Sequence, residues 1–320
     1  MGGQHGGSGP PRRWLVERAG SGLHGISGTS RPPADVVGAL PVAPVVPAGT
    51  PGGPGRRPPL SVAVITLNEE ARLGPCLASV AGWADEIVVV DSGSADRTVE
   101  VARAFTDQVS AHPFQGYGAQ KNLALARCRH EWVLSLDADE RVTPELRAEI
   151  DRILGREPAE TGFAVPRRNL FGGVWLRHGG LYPDYQLRLL RRAASRFRDP
   201  AVHESAETAG PTGRLQAALV HESYEGVADF VARANRYSDL AARELAAGRR
   251  PGGLAALLVR PAWRFFSMYV VRRGFLDGRP GLVVAVLYAY YVFLRAAKAQ
   301  ERAGGPFGGD RPGPSAGPRP

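Results

Sequence analysis

The sequence has very little cysteine and lacks the short motifs of the common zinc enzymes. Cys76 and Cys128 are the only two cysteines among its 320 residues. One candidate pair does not make a disulfide framework, so a reducing compartment is expected. The chain contains no CxxC pair and no HExxH sequence, which disfavours the zinc sites that these spacings identify.

Two familiar nucleotide-binding motifs are also absent. The first predicted strand is followed by Asn68-Glu69-Glu70 and not by a G-x-G-x-x-G turn, which disfavours a nicotinamide dehydrogenase. The Gly-Lys-Ser/Thr sequence of a P-loop is missing too, which disfavours a P-loop kinase. Sugar nucleotidyltransferases usually carry a Gly-rich, basic loop at this position, and the acidic loop here would repel a triphosphate.

The two ends of the chain differ in composition from its middle. Residues 1–59 are rich in Gly and Pro without an apolar period and are predicted to be disordered, as is the tail 304–320. The net charge of +9 lies at the ends, since residues 61–245 carry a net charge of −4 by count. A folded core without a basic stripe argues against nucleic acid as a partner.

Strands and helices are predicted to alternate from Leu60 onward, which favours a parallel, doubly wound sheet. A domain is expected over residues 60–225, and a helical, membrane-associating extension over 226–303. Predicted strands cover residues 61–67, 86–90, 108–111, 132–136, 162–166, 186–190 and 215–220. Predicted helices cover residues 69–81, 94–105, 118–128, 144–154 and 227–247, with Asn68 as the cap of the first.

Polar clusters follow three of the predicted buried strands, at residues 68–70, 91–96 and 137–140. Ligands of doubly wound sheets bind beyond the carboxyl ends of the strands, so these clusters are expected to surround one site. Asp137-Ala138-Asp139 suits a divalent cation bound to a diphosphate. Nothing local demands a carboxylate at Asp91, which favours ligand binding there, whereas helix capping is favoured for Asp96.

Two apolar runs, 254–271 and 281–294, dominate the basic C-terminal part. Arginines flank both runs, and aromatic residues of the kind enriched at membrane interfaces lie within them. The second run is short for a membrane span. One or two helices lying on an anionic membrane surface are favoured, over a hairpin that dips into the bilayer and over packing against the domain or another subunit.

Three ordered runs resemble glycosyltransferase family 2, which has the GT-A fold. They are Val64–Glu70, Val89–Ser94 and Leu136–Glu140. The resemblance extends over roughly residues 60–300 and is greatest to the bacterial branch that includes lipopolysaccharide-core β-glucosyltransferases. It implies a GT-A doubly wound mixed sheet, with a nucleotide-binding half, an acceptor half and C-terminal amphipathic helices. Further matching stretches are 120–122, 182–184, 186–189, 202–204 and 221–224.

The resemblance also implies roles for particular residues. Donor-binding residues would be Thr66, Asn68, Glu69, Asp91, Ser92, Gly93, Lys121, Asp137 and Ala138. Mg²⁺ or Mn²⁺ would be held by Asp137, Asp139 and His221. Glu204 is the candidate catalytic base, with Asp184 as the second choice, and His203, Arg188 and Tyr182 are further site candidates. Arg188 would hold an acceptor phosphate or pair with acids, and Trp175 and Tyr182 would stack on a sugar or pack in the core.

The expected reaction is inverting transfer of a sugar from a nucleotide-sugar donor, UDP-linked by analogy. A carboxylate base would activate the acceptor hydroxyl, and the metal would stabilise the departing diphosphate. The acceptor is expected to be a cell-envelope glycan or glycolipid, met by a cytoplasmic protein on the inner face of the membrane. A sugar nucleotidyltransferase and a catalytically inactive membrane-bound scaffold of the same fold are the alternatives.

Overall fold

The computed structural model describes residues 57–198, 205–248 and 253–304. The sequence predictions for His203, for Glu204 and for most of both terminal segments lie outside these ranges. At the start of the first described range, the Arg57 guanidinium donates hydrogen bonds to the carboxylates of Asp85 and Asp151.

Within these ranges the chain forms twelve strands and seven α-helices. The strands are β1 (Leu60–Thr66), β2 (Glu86–Asp91), β3 (Val109–Ala111), β4 (Trp132–Asp137), β5 (Glu140–Arg141), β6 (Gly162–Phe171), β7 (Val174–Trp175), β8 (Asp184–Arg191), β9 (Ser195–Arg198), β10 (Ser205–Thr208), β11 (Thr212–Arg214) and β12 (Leu219–Tyr224). The helices are α1 (Glu70–Ala78), α2 (Thr98–Arg103), α3 (Tyr117–Arg127), α4 (Pro144–Leu154), α5 (Val227–Gly248), α6 (Leu254–Phe266) and α7 (Gly278–Arg302).

The first half of the main sheet is parallel. Strands β3, β2, β1 and β4 lie side by side in that order. Every residue of β1, β2 and β4 is buried, as expected for strands covered on both faces. Thr66 pairs with Asp91, and Ile65 pairs with Asp137. The carboxyl ends of these three strands therefore meet at one edge of the sheet.

The second half makes the sheet mixed, as the resemblance to the GT-A fold predicts. β8 pairs antiparallel with β4, and β6 pairs antiparallel with β8. β12 runs parallel to β6 and antiparallel to the short β5. This last pairing sets His221 opposite Glu140, so a late strand returns to the turn that follows β4.

Local sequence accounts for where α4 begins. Thr143 is extended, and its hydroxyl accepts a hydrogen bond of 3.2 Å from the backbone N–H of Leu146. Pro144 occupies the first helical position, where no backbone donor is needed. The helix then buries Leu146, Ile150 and Leu154 at the spacing of one helical face.

Three hydrophobic clusters hold the structure together. Two of them lie around the parallel strands, α1, α3 and α4, and include Leu134 and Val90, and the first of these also takes in Phe163 and Leu189 of the antiparallel half. The third joins Phe171 of β6 and Phe230 of α5 to Tyr288 of α7. The C-terminal helices therefore share a core with the antiparallel half of the sheet.

The C-terminal helices also expose a large apolar surface. Leu254–Val271 and Gly274–Arg302 are long and apolar enough to cross a membrane by length and composition, with 11% and 28% of the apolar window buried. Trp263 is 62% exposed. The other exposed apolar side chains there are Leu254, Leu258, Val259, Phe266, Val270, Val271, Phe275, Leu276, Leu282, Val283, Val286, Tyr290 and Phe293.

Three local predictions were wrong. The helix expected at 94–105 covers only Thr98–Arg103, because the N–H groups of Ser94 and Ala95 donate to the side chains of Asp91 and Asn68. The strand expected at 215–220 begins only at Leu219, because the backbone N–H groups of Gln216 and Ala217 donate to the Glu149 carboxylate and not to a neighbouring strand. Asn68 does not cap α1. It adopts a left-handed conformation with φ of 54°, and its side-chain oxygen accepts a hydrogen bond from the N–H of Ala95.

Replacing Glu149 with Ala tests this account of residues 215–218. The change leaves two backbone donors without their acceptor, and we expect it to lower the free energy of unfolding by about 2–3 kcal/mol. Urea denaturation of both proteins measures the difference. Glu131→Ala, at an exposed glutamate, is the control and should change stability by less than about 0.5 kcal/mol. Equal effects of the two substitutions would contradict the assignment.

Candidate active site

The ends of β1, β2 and β4 open onto one pocket of about 140 Å³. Four residues predicted to bind the donor line it: Thr66, Glu69, Ser92 and Ala138. The hydroxyl of Thr66 is buried and has no hydrogen-bond partner among the described residues. The three polar clusters thus share one cleft, as their positions at parallel strand ends predicted.

Asp91 shapes the loop beside this pocket. Its Oδ2 accepts hydrogen bonds of 2.8 Å from the backbone N–H groups of both Gly93 and Ser94, and Gly93 adopts a φ of 96°. The premise that nothing local demands a carboxylate here was therefore wrong. A contact between Asp91 and a ligand stays a prediction. Asp96 is not the cap residue of α2, which is Arg97, but its Oδ1 accepts a hydrogen bond from the N–H of Thr98 at the start of that helix.

Asp137, the first acid of the D-x-D sequence, is buried between two cations. Lys121 Nζ lies 2.8 Å from its Oδ1, and Arg188 Nη2 donates to its Oδ2. Burial alone would raise the pKa of Asp137, but the positive charges of Arg188 and Lys121 lower it well below its usual range. Asp137 is therefore held as a carboxylate. Arg188 pairs with acids, which was one of its two predicted roles.

The same arginine begins a longer buried network. Arg188 Nη2 lies 2.6 Å from Oε1 of Glu140, and Nη1 of Arg167 lies 3.4 Å from that oxygen. Arg167 then donates two hydrogen bonds, of 3.0 and 2.6 Å, to Oδ2 of Asp184. Charges of both signs therefore alternate through the interior, which is how buried ions are stabilised.

Asp139, the second acid, faces a histidine from the far strand. His221 Nε2 lies 3.5 Å from Oδ2 of Asp139. His221 Nδ1 lies 2.7 Å from Oδ1 of Asn169, an oxygen that can only accept. Nε2 is therefore the ring nitrogen that faces Asp139. Burial raises the pKa of Asp139, but His221 outweighs it and lowers that pKa below its ordinary value.

These two side chains fit a divalent cation. Oδ1 of Asp139 is buried and has no hydrogen-bond partner among the described residues. One or two protein ligands are sufficient when diphosphate oxygens and water complete the coordination. Asp137, the third predicted ligand, is engaged by Lys121 and Arg188. Across the described ranges no group of three or more His, Cys, Asp or Glu side chains is arranged to hold a metal.

Glu69 lines the same pocket, and its carboxyl group is a weaker acid than that of an ordinary glutamate. Burial, followed by the negative charge of Asp139, raises its pKa to about 8. Its backbone N–H donates to the hydroxyl of Thr98, 2.8 Å away. The side chain therefore binds a proton more readily than an ordinary glutamate, and Arg72 Nη1 lies 3.8 Å from its Oε2.

Several residues of the site were not predicted from the sequence. Phe114 and Tyr117 line the pocket with their rings edge to face, 4.9 Å between centroids. Arg167, Glu140 and Asn169 belong to the buried network described above. The aromatic pair follows β3, a strand of the parallel half. Its position just after a strand end is the sequence feature that could have placed these two residues in the site.

The acceptor-side predictions have mixed outcomes. Asp184 lies in the network and is held by Arg167, while Glu204 lies outside the described residues. The Trp175 and Tyr182 rings meet edge to face, 5.3 Å apart, and neither residue is among those that line the pocket. Tyr182 is therefore described by its contact with Trp175, and a sugar contact of either ring stays a prediction.

Comparison with known proteins is consistent with the resemblance of the sequence. The family profile described as "Glycosyl transferase family 2" matches residues 61–204. A lipopolysaccharide core biosynthesis glycosyltransferase, LpsC, of Rhizobium meliloti (strain 1021) is 32% identical over 76% of this chain and 93% of its own length. An uncharacterized glycosyltransferase of Rickettsia bellii (strain RML369-C) is 31% identical over 76% and 86%.

A solved structure also matches part of the chain. It is glucosyl-3-phosphoglycerate synthase from Mycobacterium tuberculosis, crystallised with Mn²⁺ and uridine-diphosphate-glucose. The match has 26% identity and a TM-score of 0.31, and covers 35% of this chain and 44% of that one.

Replacing Arg188 with Met tests the buried network. The substitution leaves Asp137 and Glu140 without their shared cation, and we expect a loss of about 3–5 kcal/mol in unfolding free energy at pH 8. The carboxyl pKa values in the folded variant should rise above their unfolded values, so its stability should recover as the pH falls toward 5, where these groups bind protons. Urea denaturation across this range measures both effects.

The exposed Arg103 provides the control for this experiment. Arg103→Met should leave stability within about 0.5 kcal/mol of the parent at each pH. If Arg188→Met lowers the free energy of unfolding by the same amount at pH 5 and pH 8, the arginine contributes to stability through packing and not through its charge.

Proposed function

This chain belongs to glycosyltransferase family 2, and we propose that it transfers a sugar, with inversion, from a UDP-linked donor to a cell-envelope glycan or glycolipid. The chain is a glycosyltransferase, and its similarity to a lipopolysaccharide core enzyme suggests an envelope acceptor. The observation that carries the proposal is the convergence of three strand ends on one pocket beside the D-x-D carboxylates. Family membership disfavours the nucleotidyltransferase, and the presence of Asp137, Asp139 and Glu204 in the sequence disfavours the inactive scaffold.

The donor half supplies binding and electrostatic positioning. Asp139 and His221 would hold Mg²⁺ or Mn²⁺ together with oxygens of the donor diphosphate. When bound, the cation stabilises the negative charge that gathers on the leaving nucleoside diphosphate. Lys121 and Arg188 keep Asp137 ionised, so that it can accept hydrogen bonds from donor hydroxyls. Phe114 and Tyr117 offer ring faces and edges against which a nucleobase can pack.

The acceptor half must supply a base for the attacking hydroxyl. Arg167 donates two hydrogen bonds to Asp184 and Asn169 contacts the same oxygen at 3.3 Å. These contacts hold Asp184 as a positioning residue in the network. Glu204 therefore remains our candidate base, acting on the side of the anomeric carbon opposite the leaving diphosphate, which gives inversion.

The C-terminal helices suit a protein that works on the inner face of the cell membrane. α7 buries Val284, Leu287 and Tyr288 in the shared core and exposes Leu282 and Val286 on its other side. Helices packed along one face and apolar on the other are typical of interfacial association. The arginines of this region, Arg260, Arg264, Arg272, Arg273, Arg279 and Arg295, favour anionic lipid.

A thermal-shift panel of nucleoside diphosphates with and without Mn²⁺ tests the donor assignment. A ligand at a hundred times its Kd stabilises the folded state by about 2.7 kcal/mol, a rise of roughly 5–10 °C in Tm for a chain of this size. We expect UDP to give such a rise, larger with Mn²⁺, and Asp139→Ala to remove the metal-dependent part. The exposed Asp107 provides the control variant Asp107→Ala. If every nucleotide leaves Tm unchanged with Mn²⁺ present, the assignment fails.

Co-sedimentation with vesicles tests the membrane assignment. Trp263→Ser combined with Phe266→Ser removes two exposed rings, and we expect roughly a tenfold or larger loss of binding to phosphatidylcholine vesicles containing phosphatidylglycerol. Phe114→Ser is the matched control, because Phe114 is 47% exposed but lies in the donor half. If the double variant binds vesicles as well as the parent does, these helices do not form the proposed membrane contact.

A further inference from the structure

A cluster of cationic and aromatic side chains lies on the acceptor half, apart from the donor pocket. The Arg177 guanidinium carbon lies 4.3 Å from the centroid of the Trp175 ring, and that of Arg168 lies 5.0 Å from it. Tyr182 meets the same ring edge on. Arg177 is exposed, while Arg168, Trp175 and Tyr182 are half-buried. Two cations thus flank one indole at a surface.

Two hydrogen-bond donors in this cluster are buried and unused. Nε1 of Trp175 and Nε of Arg168 have no hydrogen-bond partner among the described residues. The indole and guanidinium groups can only donate. A buried donor without an acceptor is unfavourable, so the cluster suits a ligand group with several acceptor oxygens and negative charge. Phosphate has both properties, whereas a sugar hydroxyl is neutral.

The position of the cluster indicates which substrate would carry that group. Arg168 lies on β6 between Arg167 and Asn169, both members of the buried network. Neighbouring side chains of a strand point to opposite faces, so Arg168 points away from that network. The cluster is therefore suited to a group some distance from the reacting hydroxyl.

The cluster also lies next to the connection between α6 and α7, where Phe275 and Leu276 form an exposed apolar tip. His178, which follows Arg177, contacts the Asp277 carboxylate through its backbone N–H at 2.8 Å and its Nδ1 at 2.7 Å. Phe275 and Leu276, just before Asp277, are 47% and 54% exposed. A glycolipid held at this apolar tip would have its phosphate groups close to Arg177.

We propose that Arg168, Trp175 and Arg177 form a subsite for a phosphate group carried by the acceptor. This inference rests on the proposed transferase function, because it requires an acceptor. The subsite fixes the acceptor through a remote anion, so that binding energy from this group helps to orient the reacting hydroxyl. Arg168, Trp175 and Arg177 are thus binding residues, and Tyr182 is a positioning residue that supports the indole.

The indole N–H of Trp175 provides a direct readout. The five tryptophans give five indole signals in the ¹H–¹⁵N spectrum of the full-length protein, and Trp175→Phe identifies one of them. We expect glucose 6-phosphate and inorganic phosphate, added without donor or metal, to shift the Trp175 signal saturably. Arg177→Gln and Arg168→Gln should weaken the apparent affinity roughly tenfold, and Arg103→Gln should leave it unchanged.

Three outcomes would overturn the proposal. They are a Trp175 signal that does not respond to soluble phosphates, a response equally weakened by Arg103→Gln, and a response only to vesicles containing phosphatidylglycerol, which would mark a general lipid contact. Because Arg177 is exposed, Arg177→Gln is expected to fold. The UDP thermal shift, measured on the same variant, should be unchanged. If the unsubstituted protein does not bind UDP, the proposed function is wrong, and the response of the Trp175 signal to phosphate is a separate result.

Discussion

The buried contact of Arg188 with Asp137 and Glu140 is the interaction on which the site depends. Burial opposes the charge of this guanidinium, but the two carboxylates outweigh it and raise the pKa of Arg188. Each carboxylate would be very unfavourable in the interior without its partner. The contact therefore fixes the turn after β4, where the backbone N–H of Asp137 also donates to Oε2 of Glu140 at 3.0 Å. The D-x-D geometry is thus set before any ligand binds.

The same network joins the two halves of the sheet. Asp137 ends β4, the last parallel strand, whereas Arg188 lies on β8, the first antiparallel one. Through Arg167 and Asp184 it continues to Asn169, and from there to His221 and Asp139. In this described set four carboxylates face Lys121 and two arginines, so the network retains a slight negative charge. A divalent cation and a diphosphate can be added there without leaving a large unbalanced charge in the interior.

Sequence reasoning was most successful where local pattern determines structure. Buried strands at β1, β2 and β4 followed from their apolar runs, and their shared edge followed from their parallel order. It failed where partners are distant in sequence: Arg188 is 51 residues from Asp137, and Glu149 is 67 residues from Gln216. Asp91 was misjudged for a different reason. Its carboxylate serves the turn of Gly93 and Ser94, and the same residues would suit either a turn or a ligand.

The C-terminal helices affect the acceptor side of the site through rigid contacts. Besides the contact of His178 with Asp277, the N–H of Gly179 donates to the carbonyl of Arg272 at 2.9 Å, and a Cβ on Gly180 would collide with the Arg272 guanidinium. The loop that carries Arg177 cannot move far from the helix tip while these contacts last. If the tip rests on lipid, the loop is held at the lipid surface as well. Membrane contact and acceptor placement would then be two results of one packing arrangement, and no separate conformational change is needed to connect them.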